Sequence, residues 1–209
     1  MQRHPLSISI WLTLFFAVLA WSAINPYDFL TWGLEVLPAL IGFVVLAATY
    51  TKFPLTPLVY WLILVHAVIL MIGGHYTYAR VPAFNWLRDT FDLARNHYDR
   101  LGHLAQGFIP AVIAREILLR RSPLVRGKWL FFIVTCICLA ISAVYEFIEW
   151  WVAIAIGIDA EEFLGLQGDI WDTQTDMFLA LIGAIAALVI LNRLHDRQLD
   201  KLAKETQKQ

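Results

Sequence analysis

The chain has 209 residues, of which 59% are hydrophobic and only 16% are charged, and its formal net charge is −1. Soluble domains carry about 25% charged residues, so this composition excludes an ordinary soluble domain and favours an integral membrane protein. The near-zero net charge gives no indication of a nucleic-acid partner. Membrane lipids are the expected surroundings because of the apolar composition.

Six apolar runs approach the roughly 20 residues that a helix needs to cross a bilayer core about 30 Å thick. Taken in chain order, the predicted spans cover about 6–24, 34–50, 55–72, 101–119, 129–156 and 172–191. The first stops at Asn25-Pro26, and the fourth is interrupted by polar and charged residues. The sequence therefore predicts an all-α polytopic protein, with a bundle of six transmembrane helices in a single domain over 1–192.

Two further segments are too polar to span the membrane, one amphipathic and one polar throughout. Between the third and fourth spans, apolar residues recur at helical spacing over about 83–98, which predicts an amphipathic helix in the membrane interface. The segment 193–209 is polar and basic, with no apolar period, and we expect a fraying helix end that forms a basic cytoplasmic tail.

The distribution of Lys and Arg predicts the orientation. With six spans, most of the 16 basic residues lie on one side, together with both termini. The exceptions on the other side are Arg80, Arg88, Arg95 and Arg100. Cytoplasmic loops carry the basic excess, so we expect a multi-pass protein of the bacterial inner membrane with both termini in the cytoplasm.

Four polar stretches that are distant in sequence reach the same membrane face in this topology. They are 73–78, 96–103, 145–151 and 163–177. Helical spacing groups their side chains into two stripes, formed by Asn96, Asp99, His103 and Gln106 and by Ser142, Glu146 and Glu149. Asp169, Asp172 and Asp176 form a third stripe if the last helix starts early enough to include Asp169. Ionisable residues inside spans usually face one another in a bundle interior, so a shared acidic pocket at the periplasmic face is expected.

Carboxylates with an imidazole are suitable ligands for one divalent metal ion, which would offset the repulsion among them. The predicted ligands are Asp99, His103, Glu149, Asp172 and Asp176. Glu146 is the candidate general base, and the candidate substrate-binding residues are His75, Gln106, Asp169 and Gln174. The hypothesis is a metal-dependent enzyme that acts on a lipid or envelope substrate.

Other interpretations of the same residues remain open. Asp169 and Asp172 also suit the cap of the last span, and Glu146 and Glu149 also suit salt bridges with Arg95 or Arg100. The protein would then be a non-catalytic membrane scaffold. A proton-coupled transporter or permease subunit is another alternative, and the sequence leaves the oligomeric state open.

Four of these stretches together resemble a known family. They are Gly74-His-Tyr-Thr-Tyr-Ala79, Asn96-His-Tyr-Asp-Arg-Leu-Gly-His103, Tyr145-Glu-Phe-Ile-Glu-Trp150 and Gln167-Gly-Asp-Ile-Trp-Asp-Thr-Gln174. Over essentially its whole length, the chain resembles the YjdF family of bacterial inner-membrane proteins. The resemblance implies a multi-pass location in the inner membrane, and it assigns no catalytic role to any residue.

Overall fold

The structure is a computed structural model that describes residues 5–156 and 167–206. The start of the acidic stretch, 163–166, and the last tail residues, 207–209, lie outside the described residues. Within those ranges the chain forms eight α-helices, one 3-10 turn at Tyr78–Arg80 and no strand. The helices are α1 (Pro5–Ser22), α2 (Phe29–Thr49), α3 (Pro57–Tyr76), α4 (Pro82–Phe91), α5 (Tyr98–Arg121), α6 (Lys128–Ile156), α7 (Asp172–Ile190) and α8 (Asn192–Thr206).

Four described helices are long and apolar enough to cross a membrane. They are α2, α3, the Lys128–Ala155 part of α6, and α7. The prediction of an all-helical membrane protein is therefore confirmed. Of the other two predicted spans, α1 is apolar but shorter, over Ser7–Ser22, and α5 carries charged residues at both ends, including Asp99 and Glu116.

Helix α5 lies inside the bundle, where it packs against α3, α6 and α7. Its closest neighbour is α7, because glycines bring the two backbones together. A Cβ on Gly107 would lie 1.8 Å from the carbonyl oxygen of Ala180, and one on Gly183 would lie 2.1 Å from that of Leu104. Small residues permit this kind of close helix packing in membranes.

The amphipathic segment is shorter than predicted. Helix α4 ends at Phe91, and the following Asp92 takes the left-handed conformation, with a φ of 51°, and donates its N–H to the carbonyl of Arg88. Asp is one of the few residues other than Gly that adopts this conformation readily, so it is able to end the helix. The prediction of one helix over 83–98 was therefore wrong at its C-terminal end.

The prediction of a fraying tail was also wrong. Residues 192–206 form α8, which buries His195 and Leu199 against the bundle. The Gln198 side-chain oxygen accepts the backbone N–H of Leu58 at 2.9 Å, in the first turn of α3. His195, Leu199 and Leu202 recur at helical spacing, so the segment is amphipathic and the prediction overlooked this pattern.

Helix α8 is held by a buried polar cluster at the end of α5. Glu116 is fully buried, and its carboxylate accepts the Thr56 hydroxyl at 2.7 Å and an Arg120 N–H at 2.6 Å. His195 Nε2 lies 3.0 Å from the same carboxylate, and His195 Nδ1 lies 2.9 Å from Nη1 of Arg115. Because the guanidinium only donates, Nδ1 accepts and Nε2 carries the proton that bonds to Glu116.

We expect Gly107→Ala to destabilise the protein. The added methyl group would collide with the backbone of α7, and overpacking typically costs about 1–3 kcal/mol. The readout is the apparent melting temperature of purified protein in detergent. Gly42→Ala is the matched control, because nothing lies within 4 Å of a Cβ there and Ala favours the helix. Equal melting temperatures for the two variants would contradict the close contact.

We expect His195→Ala to weaken the attachment of α8. The change leaves Glu116 without one donor and Arg115 without one acceptor in a buried site, at a cost of about 1–3 kcal/mol. Limited proteolysis after Arg and Lys of α8 should then be faster than in Leu194→Ala, which shortens an exposed side chain of the same helix and leaves every cleavage site in place. Indistinguishable cleavage rates would show that α8 does not depend on His195.

Candidate metal centre

Arg95 contacts acidic residues at the starts of two helices, α5 and α7. It precedes α5 and is 5% exposed. Its guanidinium forms a short contact with Asp172 of α7 and lies 3.6 Å from both Asp99 and Asp169. Arg95 therefore joins the start of α5 to the start of α7.

The segment before α7 is fixed on the start of α5 by further bonds. The amide of Gln167 exchanges two 2.9 Å hydrogen bonds with the backbone of Asn96. Asp169 accepts the N–H of Trp171 at 2.9 Å and binds Arg100. These contacts hold the pKa of the Asp169 carboxyl below its ordinary value, the Trp171 hydrogen bond being the larger cause.

Asn96 is fully buried, but it does not face the carboxylates of the predicted stripe. Its amide nitrogen donates to the carbonyl of Val81 at 3.1 Å and to Asn85 at 2.8 Å, and its oxygen accepts the N–H of Tyr98 at 3.0 Å. Since α5 begins at Tyr98, Asn96 lies before the helix and the helical spacing does not apply to it. Its role is to fasten α4 to the start of α5.

His103 lies between two groups of carboxylates. Its Nε2 atom is 3.6 Å from Asp99, whereas Nδ1 is 3.8 Å from Glu146 and 3.2 Å from the amide oxygen of Gln106. The ligand atoms of Asp99, His103 and Asp176 all lie within 4.8 Å of one another. The ligand atoms of His103, Glu146 and Glu149 also lie within 4.8 Å of one another. Helices α5, α6 and α7 therefore bring together the acidic pocket that the sequence predicts.

Three buried oxygen atoms near this pocket have no hydrogen-bond partner among the described residues. They are Oδ1 of Asp176, Oε1 of Glu146 and the hydroxyl oxygen of Ser142. Asp176 is 2% exposed and Glu146 is 8% exposed. A buried carboxylate oxygen without a donor is costly, so Asp176 and Glu146 are each suited to bind a proton or a cation.

Glu35 is a member of the acidic region that the sequence reading missed. It is buried on α2, and Oε2 accepts the hydroxyl of Tyr145 at 3.3 Å. Next to it, the ring of Tyr78 fills the space between α3 and α5, where a Cβ on Gly73 would lie 2.4 Å from the ring. The available signal was a lone carboxylate inside an otherwise apolar run.

Two predicted substrate-binding residues lie apart from the pocket. His75 contacts α1, where its Nδ1 is 3.1 Å from the carbonyl of Ser22 and its ring is 4.5 Å from that of Trp21. Gln174 is exposed, whereas Asp172 and Asp176 of the same helix are buried. Gln106 and Asp169 do lie at the pocket.

The arginine pairs differ from those that the salt-bridge interpretation proposed. Arg95 and Arg100 bind aspartates, and the described ionic neighbour of Glu146 is His103. The carboxylates of this region outnumber the two guanidinium groups, since they comprise Glu35, Asp99, Glu146, Glu149, Asp169, Asp172 and Asp176. Adjacent carboxylates in a low-dielectric site cannot all ionise without added protons or a cation.

Comparison with known proteins agrees with this membrane architecture. Residues 7–197 match the model of a family described as predicted membrane protein (DUF2238). The chain belongs to this family. The inner membrane protein YjdF of Escherichia coli strain K12 is 53% identical over 183 residues, which cover 87% of each chain. The resemblance found in the sequence is thus confirmed, and no solved structure matches the chain.

We expect Arg95→Gln to be strongly destabilising. Removing one partner of a buried ion pair costs about 3–5 kcal/mol, because the remaining charges are left uncompensated. Arg88→Gln is the control, because Arg88 is partly exposed and pairs with the exposed Asp89 of α4. Thermal unfolding in detergent is the measurement. If both variants unfold at the same temperature, Arg95 does not hold the start of α5 to α7.

Proposed function

We propose that this protein is a membrane-embedded metalloenzyme. One divalent cation is bound by Asp99, His103 and Asp176, and Glu149 lies in the neighbouring group with His103 and Glu146. Held by these residues, the ion would supply the Lewis-acid chemistry that activates a water molecule for hydrolysis of a lipid-linked or envelope substrate. The observation that carries the proposal is the buried group of mutually close ligand atoms that includes an unpartnered oxygen of Asp176.

The ligand set fits a divalent cation. Metal–ligand bonds are about 2.0–2.6 Å long, so ligand atoms within 4.8 Å of one another are close enough to share an ion. Carboxylates with one imidazole suit zinc, manganese or iron. A cation would also lower the excess of negative charge that Arg95 and Arg100 leave uncompensated.

The surroundings of His103 support a division of roles. With Nε2 on the ion, Nδ1 carries the proton and faces Gln106 at 3.2 Å and Glu146 at 3.8 Å. Such outer partners fix the orientation of a ligating imidazole. Glu146, whose Oε1 is unpartnered, is placed to act as general base. Asp172 and Asp169 neutralise the two arginines beside the ion.

The proposal includes the six-span topology. Residues 1–192 then form one transmembrane domain with α1 and α5 as the additional spans, both termini are cytoplasmic, and the metal site opens to the periplasm. The charges of α5 are compatible with a span because Asp99, His103, Arg115 and Glu116 are all buried in the bundle. Helix α4, with Trp86 and Phe91 exposed, then lies at the periplasmic interface.

A proton-coupled transporter is less well supported. Such a protein needs polar groups across the membrane, whereas α5 is wholly apolar from Gly107 to Ala114, a distance of about 12 Å at 1.5 Å per residue. Ile109, Ala111 and Val112 in this stretch are buried in the core. The acidic pocket and the Glu116 cluster are therefore separated along α5, which favours a site that works at one face.

The test is metal analysis of the purified protein. We expect about one zinc, manganese or iron ion per chain by mass spectrometry, and a loss of most of it in Asp176→Asn and His103→Gln. Free metal at about 100 times its dissociation constant should stabilise the apo protein by about 2.7 kcal/mol. EDTA should reverse that shift in the melting temperature.

Asp89→Asn is the control variant, because it removes an exposed carboxylate from α4. It should retain the metal and the metal-dependent shift. Native protein without stoichiometric metal, and with no stabilisation by added zinc, manganese or iron, would contradict the proposal and leave the buried carboxylates to be neutralised by protons.

A further inference from the structure

A second pocket lies at the other end of α5. It is a cavity of about 550 Å³ between the start of α6 and the junction of α7 with α8. Its polar lining consists of Arg115, Arg126, Lys128, Asn192 and Asp196. It belongs to neither the acidic pocket nor the proposed metal chemistry, because Arg115 and Asp99 are about 24 Å apart along α5 at 1.5 Å per residue.

The basic side chains of this pocket are held in place. Arg115 is 6% exposed and binds Asp196 at 2.6 Å. Arg126 is about half exposed and binds Asp196 at 3.0 Å and Asp200 at 2.5 Å. Lys128 is exposed at the first position of α6. Three cations face two carboxylates, so one positive charge is in excess, and the exposed Lys128 has no ion pair among the described residues.

The start of α6 strengthens this excess. The first N–H groups of a helix and its dipole favour an anion, and Lys128 is in the first turn of a helix of 29 residues. The side-chain amide of exposed Asn192 adds a neutral donor from α8. The pocket therefore offers charged and neutral donors to one anionic group.

The apolar surroundings indicate a lipid rather than a soluble anion. Leu130, Phe131 and Leu188 also line the cavity. On α6, Phe131 is 38% exposed, and the neighbouring Trp129 and Phe132 are 73% and 58% exposed. Basic residues with aromatic residues at the end of a long apolar helix are typical of the headgroup region. A lipid tail along α6 would cover these rings.

We propose that this pocket binds the headgroup of an anionic phospholipid through Arg126, Lys128 and the first turn of α6. The phosphodiester lies at the mouth of the pocket, and the acyl chains pass over Phe131 and Phe132. Arg115 is a positioning residue, because it holds Asp196 and α8 in place. The lipid thereby bridges the start of α6 and α8, beside the ion pairs that Arg126 forms with Asp196 and Asp200 of α8.

The experiment is native mass spectrometry of the full chain, released from detergent and titrated with short-chain phosphatidylglycerol. We expect one retained lipid of high occupancy. The double variant Arg126→Gln/Lys128→Gln should bind about thirtyfold more weakly, which is the loss expected for two basic side chains near anionic headgroups. Lys128→Gln alone, which breaks no ion pair of the described residues, should weaken lipid binding roughly fivefold.

The control is Arg193→Gln/Lys204→Gln, which makes the same charge change at exposed positions of α8 and should bind like the native protein. Titrations with phosphatidylcholine and with inorganic phosphate separate headgroup charge from the lipid as a whole, and both should give at most weak binding. Equal binding of phosphatidylcholine, equally tight binding of phosphate, or an equal loss in the control variant would each overturn the proposal. An unchanged affinity in Lys128→Gln would do the same.

Discussion

The ion pairs of Arg95 are the interaction on which the polar half of this protein depends. One buried guanidinium contacts aspartates from α5, α7 and the segment that precedes α7. Without it, the starts of two neighbouring helices would repel each other in a medium of low dielectric constant. With it, Asp99 and Asp176 are held near His103, and one side of the pocket is formed entirely by α5 and α7. Helix α6 completes the pocket with Glu146 and Glu149.

Helix α5 has a polar cluster at each end and an apolar middle. At one end Arg95 compensates the aspartates, and at the other Glu116 accepts bonds from Thr56, Arg120 and His195. The two clusters differ in a way that bears on function. The Glu116 carboxylate has donors from three elements of the fold, as expected for a structural site, whereas Asp176 and Glu146 each retain an oxygen without a donor. That difference in hydrogen bonding, rather than the number of acidic residues, distinguishes the candidate metal centre.

Apolar length was enough to predict α2, α3, α6 and α7 from the sequence, since each is long and apolar enough to cross a membrane. Helical spacing also predicted that Asp99, His103, Glu146, Glu149 and Asp176 would meet. Helical spacing gave a wrong prediction where the chain is not helical, as at Asn96, and where the left-handed Asp92 ends α4 early. The amphipathic pattern of α8 was overlooked, and its attachment through His195 and Gln198 was not predictable because their partners Glu116 and Leu58 are distant in sequence. Glu35 was missed for the same reason, since only the packing of α2 brings it towards Tyr145.

The contact at Gly107 and Gly183 has a consequence for motion. Backbone meets backbone there, so no side-chain rotation is available to let α5 and α7 slide past each other. The close contact therefore resists relative movement of the two helices, and these helices carry Asp99, His103 and Asp176. In the proposed enzyme, substrate access would then depend on α6, which carries the candidate base Glu146. The proposed ligands on α5 and α7 would keep their places while the access route changes.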